Sequence, residues 1–514
     1  MMFSSKIIPY EKAERFFSDI KASGKRVVQC HGTFDLIHPG HIYHLEEARG
    51  LGDILVVTIT AEKYVRKGPG RPYFNDQHRA KAISALGCVD YVVLIPYPAA
   101  VEAISCVKPG IYCKGREYID QDVDVAGDIK DDVATVEKYG GQVRYIGSVV
   151  FSSTKLLNNY FDHVEVPVKE FCQKLHQNYT PDKFRSIVDS FQKLRVLVIG
   201  DIIFDRYTFA SVQGLTTKNR ILSTRFIEEN TQAGGSLAVY KHIKQFCNNV
   251  KLVGLVGKES WVNDELRLHI DKKSDLIVRD SKVTTIIKQR FLQPAVPGKE
   301  LIKLFSVNYI DHDAPSAVIS RQVVSKVAKV IRDYDLVVVT DFGHGLMSEE
   351  LRELVQKQAN FLAVNCQTNS NNYGFNILDR RYHHADCFSL DQSEIHLAAA
   401  STHVDYEGAL RTLVDKLGSG YGWLTRGAVE TISVTAGRSK SCIIPPLERT
   451  VIDTIGAGDA FFSVASLAAC KKLPLEITAF LGQLAGGQAV KILGNTEPIS
   501  KPLLVKSGMS LLNF

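Results

Sequence analysis

Short runs of β-branched and aliphatic residues recur through the first third of the chain, at residues 26–30, 54–60, 91–95 and 143–146. Apolar runs of this length with little polar alternation fit strands buried on both faces. Between them lie stretches with helical spacing, 42–49 and 76–86. Alternating strand and helix predict a parallel sheet covered on both sides. The pattern ends near Tyr160 and Phe161, and residues 163–192 are more polar, with breaks around 178–181. That segment predicts a linker holding a helix or two. A new β run at 195–199 ends in Gly200-Asp201, and further strands are expected at 251–256, 335–340, 361–365, 422–425 and 430–434. The expected organisation is a first α/β domain at 1–162, a linker at 163–192 and a larger α/β domain at 193–514. Neither an internal repeat nor a low-complexity tract stands out.

Composition narrows the function classes. A chain of 514 residues has room for two or three separate cores. Its formal charge of +6 is small for that length, and no Lys/Arg block concentrates it. Nucleic acid and anionic membrane are therefore not expected as main partners. The basic residues are expected to serve phosphorylated metabolites. No apolar stretch approaches the roughly 18–20 residues needed to span a bilayer, and residues 1–10 lack the regions of a secretory signal. The ten cysteines are scattered without a C-x-x-C pair, as for buried thiols in a reducing compartment. A cytoplasmic location is expected.

Two phosphate-handling patterns of different design stand out. The first follows the run 26–30 and reads His31-Gly32-Thr33-Phe34-Asp35-Leu36-Ile37-His38-Pro39-Gly40-His41. A strand ending at Gly32-Thr33 and a helix opening after Pro39-Gly40 form a cradle in which backbone N–H groups and the helix dipole favour an anion. His38 and His41 flank the turn and can donate to the same phosphate, stabilising charge that grows during in-line displacement. The second reads Asp453-Thr454-Ile455-Gly456-Ala457-Gly458-Asp459 and opens onto the apolar Ala460-Phe461-Phe462. Small residues let consecutive N–H groups converge on a transferring phosphate. Asp459 at the helix start can accept the proton of an attacking hydroxyl.

The first pattern resembles the cytidylyltransferase-like nucleotidyltransferases, over residues 26–160. The resemblance implies a Rossmann-like α/β domain in which Gly32, Thr33 and Phe34 bind nucleotide and His38 and His41 act in the chemical step. It further implies that Ser152, Ser153 and Thr154 hold the β- and γ-phosphates, that Lys67 in the segment 63–67 assists catalysis, and that Arg79 approaches the triphosphate. The second pattern resembles the ribokinase-like (PfkB) sugar kinases, and that likeness runs through the whole second half. It implies a ribokinase-like α/β domain with a small β-lid and Asp459 as base. Gly456, Ala457, Gly458, Glu394, Thr425 and Gly427 are then nucleotide-binding. Asp201, Asp205, Gly234, Gly235 and Asp341 are then substrate-binding. Asp391-Gln392-Ser393-Glu394 stands where that family has an Asn-x-x-Glu element that helps to order magnesium and phosphate. Three departures stand out: Ser236-Leu237-Ala238 after the glycine pair, Asn365-Cys366-Gln367 in place of Asp-Pro, and Asp391 in place of Asn; the changes near Gly235 leave the acceptor sugar open.

Together the halves resemble the bifunctional heptose kinase/adenylyltransferases of bacterial surface-polysaccharide synthesis, in reversed order. The expected chemistry is ATP-dependent phosphorylation of a sugar or sugar phosphate, then formation of an NDP-sugar such as ADP-heptose. A second reading keeps both steps with CTP and another sugar or polyol. A third, a sugar-sensing scaffold with an inactive kinase half, is opposed by the intact Gly456–Asp459 turn. Mg²⁺ carried by the phosphates, with no direct protein cage, is the only ion implied, and a homodimer is expected from the resemblance. His344 and Tyr207 are expected to have packing or surface roles.

Overall fold

The computed structural model describes residues 6–65, 71–115, 128–147, 165–270, 276–294, 302–311, 313–438 and 440–513. The chain divides into two compact units, Met1–Phe184 with Val505–Phe514, and Arg185–Leu504.

The first unit is built on β1 (Ile7–Ile8), β2 (Val27–Gly32), β3 (Ile54–Thr60), β4 (Tyr91–Ile95), β5 (Ile111–Gly115) and β6 (Gln142–Ile146). They form one parallel sheet in the order β1-β4-β3-β2-β5-β6. Strand β3 is buried at all seven positions because its side chains alternate between two cores. Ile54 and Val56 pack with Phe17 and Ala103, whereas Leu55, Val57 and Ile59 pack with Leu45, Ala48 and Ile83. The chain runs outward from β2 to β3 and β4, then returns to lay β5 on the other side of β2. That reversal opens a crevice beyond the carboxyl end of β2, the usual ligand position in such sheets.

The second unit begins its main sheet with β7 (Arg195–Gly200) and continues into a long ribbon, β8 (Ile202–Leu215) and β9 (Leu222–Gly234). Next come β10 (Asn249–Val253), β11 (Leu255–Val256), β12 (Val278–Arg279), β13 (Ile286–Gln293) and β14 (Ile302–Tyr309). The remaining strands are β15 (Leu336–Asp341), β16 (Leu362–Cys366), β17 (Cys387–Asp391), β18 (Tyr421–Thr425), β19 (Thr431–Thr435) and β20 (Cys442–Ile444). The main sheet has the order β10-β7-β15-β16-β17-β18-β19-β20, parallel through β18 and antiparallel beyond it. Its core joins Leu197, Ile199, Val337, Val339, Val364 and Phe388. The apolar helix Ala457–Cys470 is buried at every position from Ala460 to Ala469. A separate four-stranded sheet, β14-β13-β8-β9, is the β-lid. Among the described residues, no helix is long and apolar enough to cross a membrane.

Candidate active sites

In the first unit, helix Pro39–Arg49 starts one residue before Gly40, because Pro39 suits a first helical position and His38 caps it. The His38 Nδ1 accepts the His41 N–H at 3.4 Å. In the neutral ring the hydrogen therefore sits on Nε2. The two imidazoles stack with centroids 3.8 Å apart, and Phe34 stands 5.4 Å from His41. Phe34 holds a left-handed backbone (φ 46°), and its ring lies over Gly32. The carboxylate of Asp35 fixes the far side of the crevice: it accepts from Arg71 Nε (2.7 Å), Tyr73 N (2.8 Å) and Phe74 N (3.0 Å). Below the turn, half-buried His31 contacts Thr58 at 3.0 Å and Thr60 at 3.2 Å, and desolvation pushes it down to about 3, keeping it neutral.

Arg79 corrects the expectation that it meets a triphosphate. It is 1% exposed, and its guanidinium donates to Thr33 O, Thr60 O, Phe74 O and Asp76 Oδ1. With its nitrogens engaged this way it clamps the turn instead of facing the ligand. Lys67, Ser152, Ser153 and Thr154 lie outside the described residues.

In the second unit, the residues singled out from sequence gather at the carboxyl ends of the parallel strands: Asp201 after β7, Asp341 on β15, Asp391 on β17 and Thr425 on β18. A cavity of about 390 Å³ runs from Thr425 and Gly427 past Glu394 to Gly456, Ala457, Gly458 and Asp459. Gly456 caps the helix in a left-handed conformation (φ 82°), and a side chain there would also strike Asn495. The N–H groups of a first helical turn have no partner within the helix, so this wall suits an anion. Asp459 keeps some exposure toward the cleft, yet burial pushes its carboxyl up to about 6, with Asp205 adding to the rise and Gln367 and Lys288 opposing it.

The carboxylates divide into two groups. Asp205 pairs with Arg290 across the lid, and Gly234 lets β9 close against that carboxylate, where a side chain would collide. Asp459 lines the cavity, whereas Asp205 is buried and engaged by Arg290. Asp201 and Asp341 are buried and hydrogen-bonded within the fold, and Asp341 also lines a second cavity of about 790 Å³ beside His344 and Asn376. Asp201 accepts the N–H groups of Phe342 (3.2 Å), His344 (3.3 Å) and Leu346 (3.3 Å). Burial and then nearby Asp341 push it up to about 7. Asp341 accepts from Gly343 N (2.9 Å) and the Tyr382 hydroxyl (2.8 Å). Gly235, with φ 54°, packs against the Asp201 carbonyl.

Glu394 lines the cavity, but its two oxygens accept Thr368 N (3.1 Å) and Asp391 N (2.8 Å) while Asp391 caps the same helix. Burial pushes it up to about 8, with Asp391 adding to the rise. With both oxygens engaged by backbone N–H groups, Glu394 forms part of the cavity wall. Among the described residues no group of three or more His, Cys, Asp or Glu could hold a metal ion.

Three residues were not picked out from sequence as site residues. Lys288 and Arg290 stand two apart on β13, beside Asp205 and Tyr207 in the register with β8. Gln367 donates to Asp459 at 2.9 Å. The alternation Lys288-Gln289-Arg290 was the available signal for the first two, had a strand been expected there. Tyr207, expected only to pack, also donates to Asp453 of the turn at 3.4 Å.

Residues 30–204 match the family model described as cytidylyltransferase-like, and residues 193–502 match the pfkB family carbohydrate kinase model. The chain belongs to the pfkB family of carbohydrate kinases. Its order, a cytidylyltransferase-like domain followed by the pfkB domain, is the one expected from the motifs. The chain is 41% identical over 136 residues to "Bifunctional protein HldE" of Pelobacter propionicus, covering 26% of each chain. It is 37% identical over 166 residues to the protein of the same name from Syntrophotalea carbinolica, covering 32% of each. Each of these matches therefore spans no more than about a third of the curated relative's length. Phosphofructokinase-2 from Escherichia coli in complex with substrates and products superposes on 61% of this chain and 98% of its own, with a TM-score of 0.49 and 15% identity. Arabidopsis thaliana ribokinase complexed with ribose and ATP covers 63% of this chain and 99% of its own, with a TM-score of 0.47 and 16% identity.

Proposed function

We propose that the pfkB domain phosphorylates a sugar or sugar phosphate with ATP and that the cytidylyltransferase-like domain joins a nucleotide to the resulting sugar 1-phosphate. The observation that carries the reading is the pairing, in one chain, of two strand–turn–helix anion sites with different reacting groups: an aspartate in one and two histidines in the other. The name "Bifunctional protein HldE" borne by partial relatives supports an ADP-heptose-like product.

In the kinase step the Gly456–Gly458 turn binds the transferring phosphate, Asp205 and Gly234 border the acceptor, and Asp459 takes the hydroxyl proton. In the nucleotidyl step a phosphate oxygen of the sugar phosphate attacks the α-phosphorus of the nucleotide and pyrophosphate leaves. His38 and His41 donate to the charge that develops. Magnesium carried on the phosphates, with no direct protein cage implied, would neutralise their charge. A CTP-using variant of the second step is favoured by the description of the matched front family.

The kinase domain is assigned to 193–514, the nucleotidyltransferase domain to 1–162 and the linker to 163–192, although 163–184 and 505–514 group with the first compact unit. A homodimer through the lid is supported by exposed apolar residues there: Leu222, Phe226 and Ile227 on β9, and Ile302, Phe305 and Val307 on β14. A cytoplasmic site of action fits phosphorylated substrates. Incubating the chain with ATP or CTP and a panel of sugars and sugar phosphates, with and without pyrophosphatase, tests the whole scheme. Formation of neither a sugar phosphate nor pyrophosphate would refute it.

A further inference from the structure

Strand β16 leaves the main sheet at Cys366, and the next residue turns its side chain toward helix Ala457–Cys470. Gln367 Nε2 donates to Asn365 Oδ1 at 2.6 Å and to Asp459 Oδ1 at 2.9 Å. Asn365 is buried, and its Nδ2 donates to Ser389 O at 3.1 Å. The direction of this relay is fixed at its far end. A backbone carbonyl only accepts, so Asn365 must turn its nitrogen to Ser389 and its oxygen to Gln367. That oxygen in turn obliges Gln367 to present its own nitrogen, whose second hydrogen reaches the aspartate. The Gln367 backbone is held as well, its N–H by Asp341 O (2.9 Å) and its carbonyl by Asn376 Nδ2 (3.1 Å).

A carboxylate at the start of a helix can rotate and offer either oxygen. We propose that Gln367, oriented by Asn365, is a positioning residue for phosphoryl transfer: it holds Oδ1 of Asp459 and leaves Oδ2 to take the acceptor proton. The inference rests on the kinase reading above. In the step, the acceptor O–H bond breaks with its proton going to Oδ2, and the acceptor oxygen bonds to the γ-phosphorus. The bond from that phosphorus to the β,γ-bridging oxygen breaks, and ADP leaves. The donated N–H also stabilises the ionised carboxylate against the burial that pushes it up to about 6. Three other charged or titratable groups face Asp459: Lys288 from β13, Asp205 from β8 and Glu394 from helix Gln392–Ala399.

Two substitutions separate positioning from packing. Gln367→Met keeps the length without a donor, and Gln367→Lys keeps a donor and adds charge. With Met, kcat for sugar phosphorylation should fall about ten- to a hundredfold at unchanged KM for ATP. The acid limb of the kcat profile should move up by about one pH unit, whereas Lys should move it down. A second readout needs no turnover: infrared difference titration of the ligand-free protein, with Asp459→Asn identifying the carboxyl band, should show the same opposite displacements. An unmoved limb and band in a folded Met variant overturn the proposal. If the Met variant does not fold, the Lys variant decides in the same way, by a downward displacement or none. Should the native chain phosphorylate no sugar, the kinase reading fails while the carboxyl band still tests the positioning.

Discussion

Replacing Arg79 by methionine removes a guanidinium that donates to Thr33 O (2.6 Å), Thr60 O (3.0 Å), Phe74 O (3.0 Å) and Asp76 Oδ1 (2.6 Å). Asp76 is 31% exposed, so water can take over its share. The three carbonyls face a side chain without donors. Removing one member of such a buried charged network costs about 3–5 kcal/mol. At about 2–4 °C per kcal/mol for a unit of this size, the first unit should melt roughly 6–20 °C lower. The intact chain allows this to be read with an internal control, because both tryptophans, Trp261 and Trp423, belong to the second unit. Far-UV circular dichroism should lose part of its amplitude at lower temperature while the tryptophan fluorescence transition stays in place. An unmoved melting curve, accompanied by a raised KM for the nucleotide in the nucleotidyl step, would show that Arg79 serves the triphosphate and that the clamp reasoning is wrong.

His38→Ala or His41→Ala should each cost about 10²–10³ in kcat of nucleotidyl transfer by removing a donor from the developing charge, with sugar phosphorylation unchanged; equal loss in both steps would refute the division of labour. Asp459→Asn should abolish phosphorylation while isothermal titration still finds ATP bound, and near-native turnover would remove Asp459 from the base role. In the native enzyme the kcat profile of phosphorylation should fall on the acid side of about pH 6, where burial places the Asp459 carboxyl; a flat profile there speaks against a base. Stability of the second unit should also fall with rising pH. Burial raises Asp201 to about 7 and Glu394 to about 8, so between their unfolded values and these the folded chain binds more protons, and stability is lost as pH climbs through them. The tryptophan-monitored melting temperature should therefore drop from about pH 7 to about pH 8.5, beyond the titration of unfolded histidine; a rise over that window would contradict the assignment.

The sheets were legible where burial is two-sided. Residues 54–60 and 91–95 carry almost nothing but β-formers because each face meets a core, and the structure has strands at those positions. Strand β5, Ile111–Gly115, escaped notice because it is short and ends in Lys114 and Gly115. The lid was implied only by resemblance. Strand β9 passes through Arg225, Glu228, Glu229 and Asn230 with most of its length exposed, so neither the alternation of a half-buried strand nor the apolar run of a buried one marks it. Lys288 and Arg290 were missed with it, since a basic pair is informative only once its strand is known.

The hydrogen-bonded carboxylates have a different cause. A motif says which residues gather at the ends of strands, and it leaves open where each carboxylate's lone pairs go. For Asp341 and Asp391 the competing donors are local, Gly343 N and Glu394 N, two and three residues on. Asp-x-Gly and Asp-x-x-Glu are turn and cap patterns in their own right. Both could have been weighed against ligand binding from sequence alone. Asp201 could not, because its donors lie 141 to 145 residues away on the turn after β15. The same holds for the Gln367 amide, 92 residues before the aspartate it holds. At Asp459 one oxygen is taken by a side-chain donor that only the fold brings near.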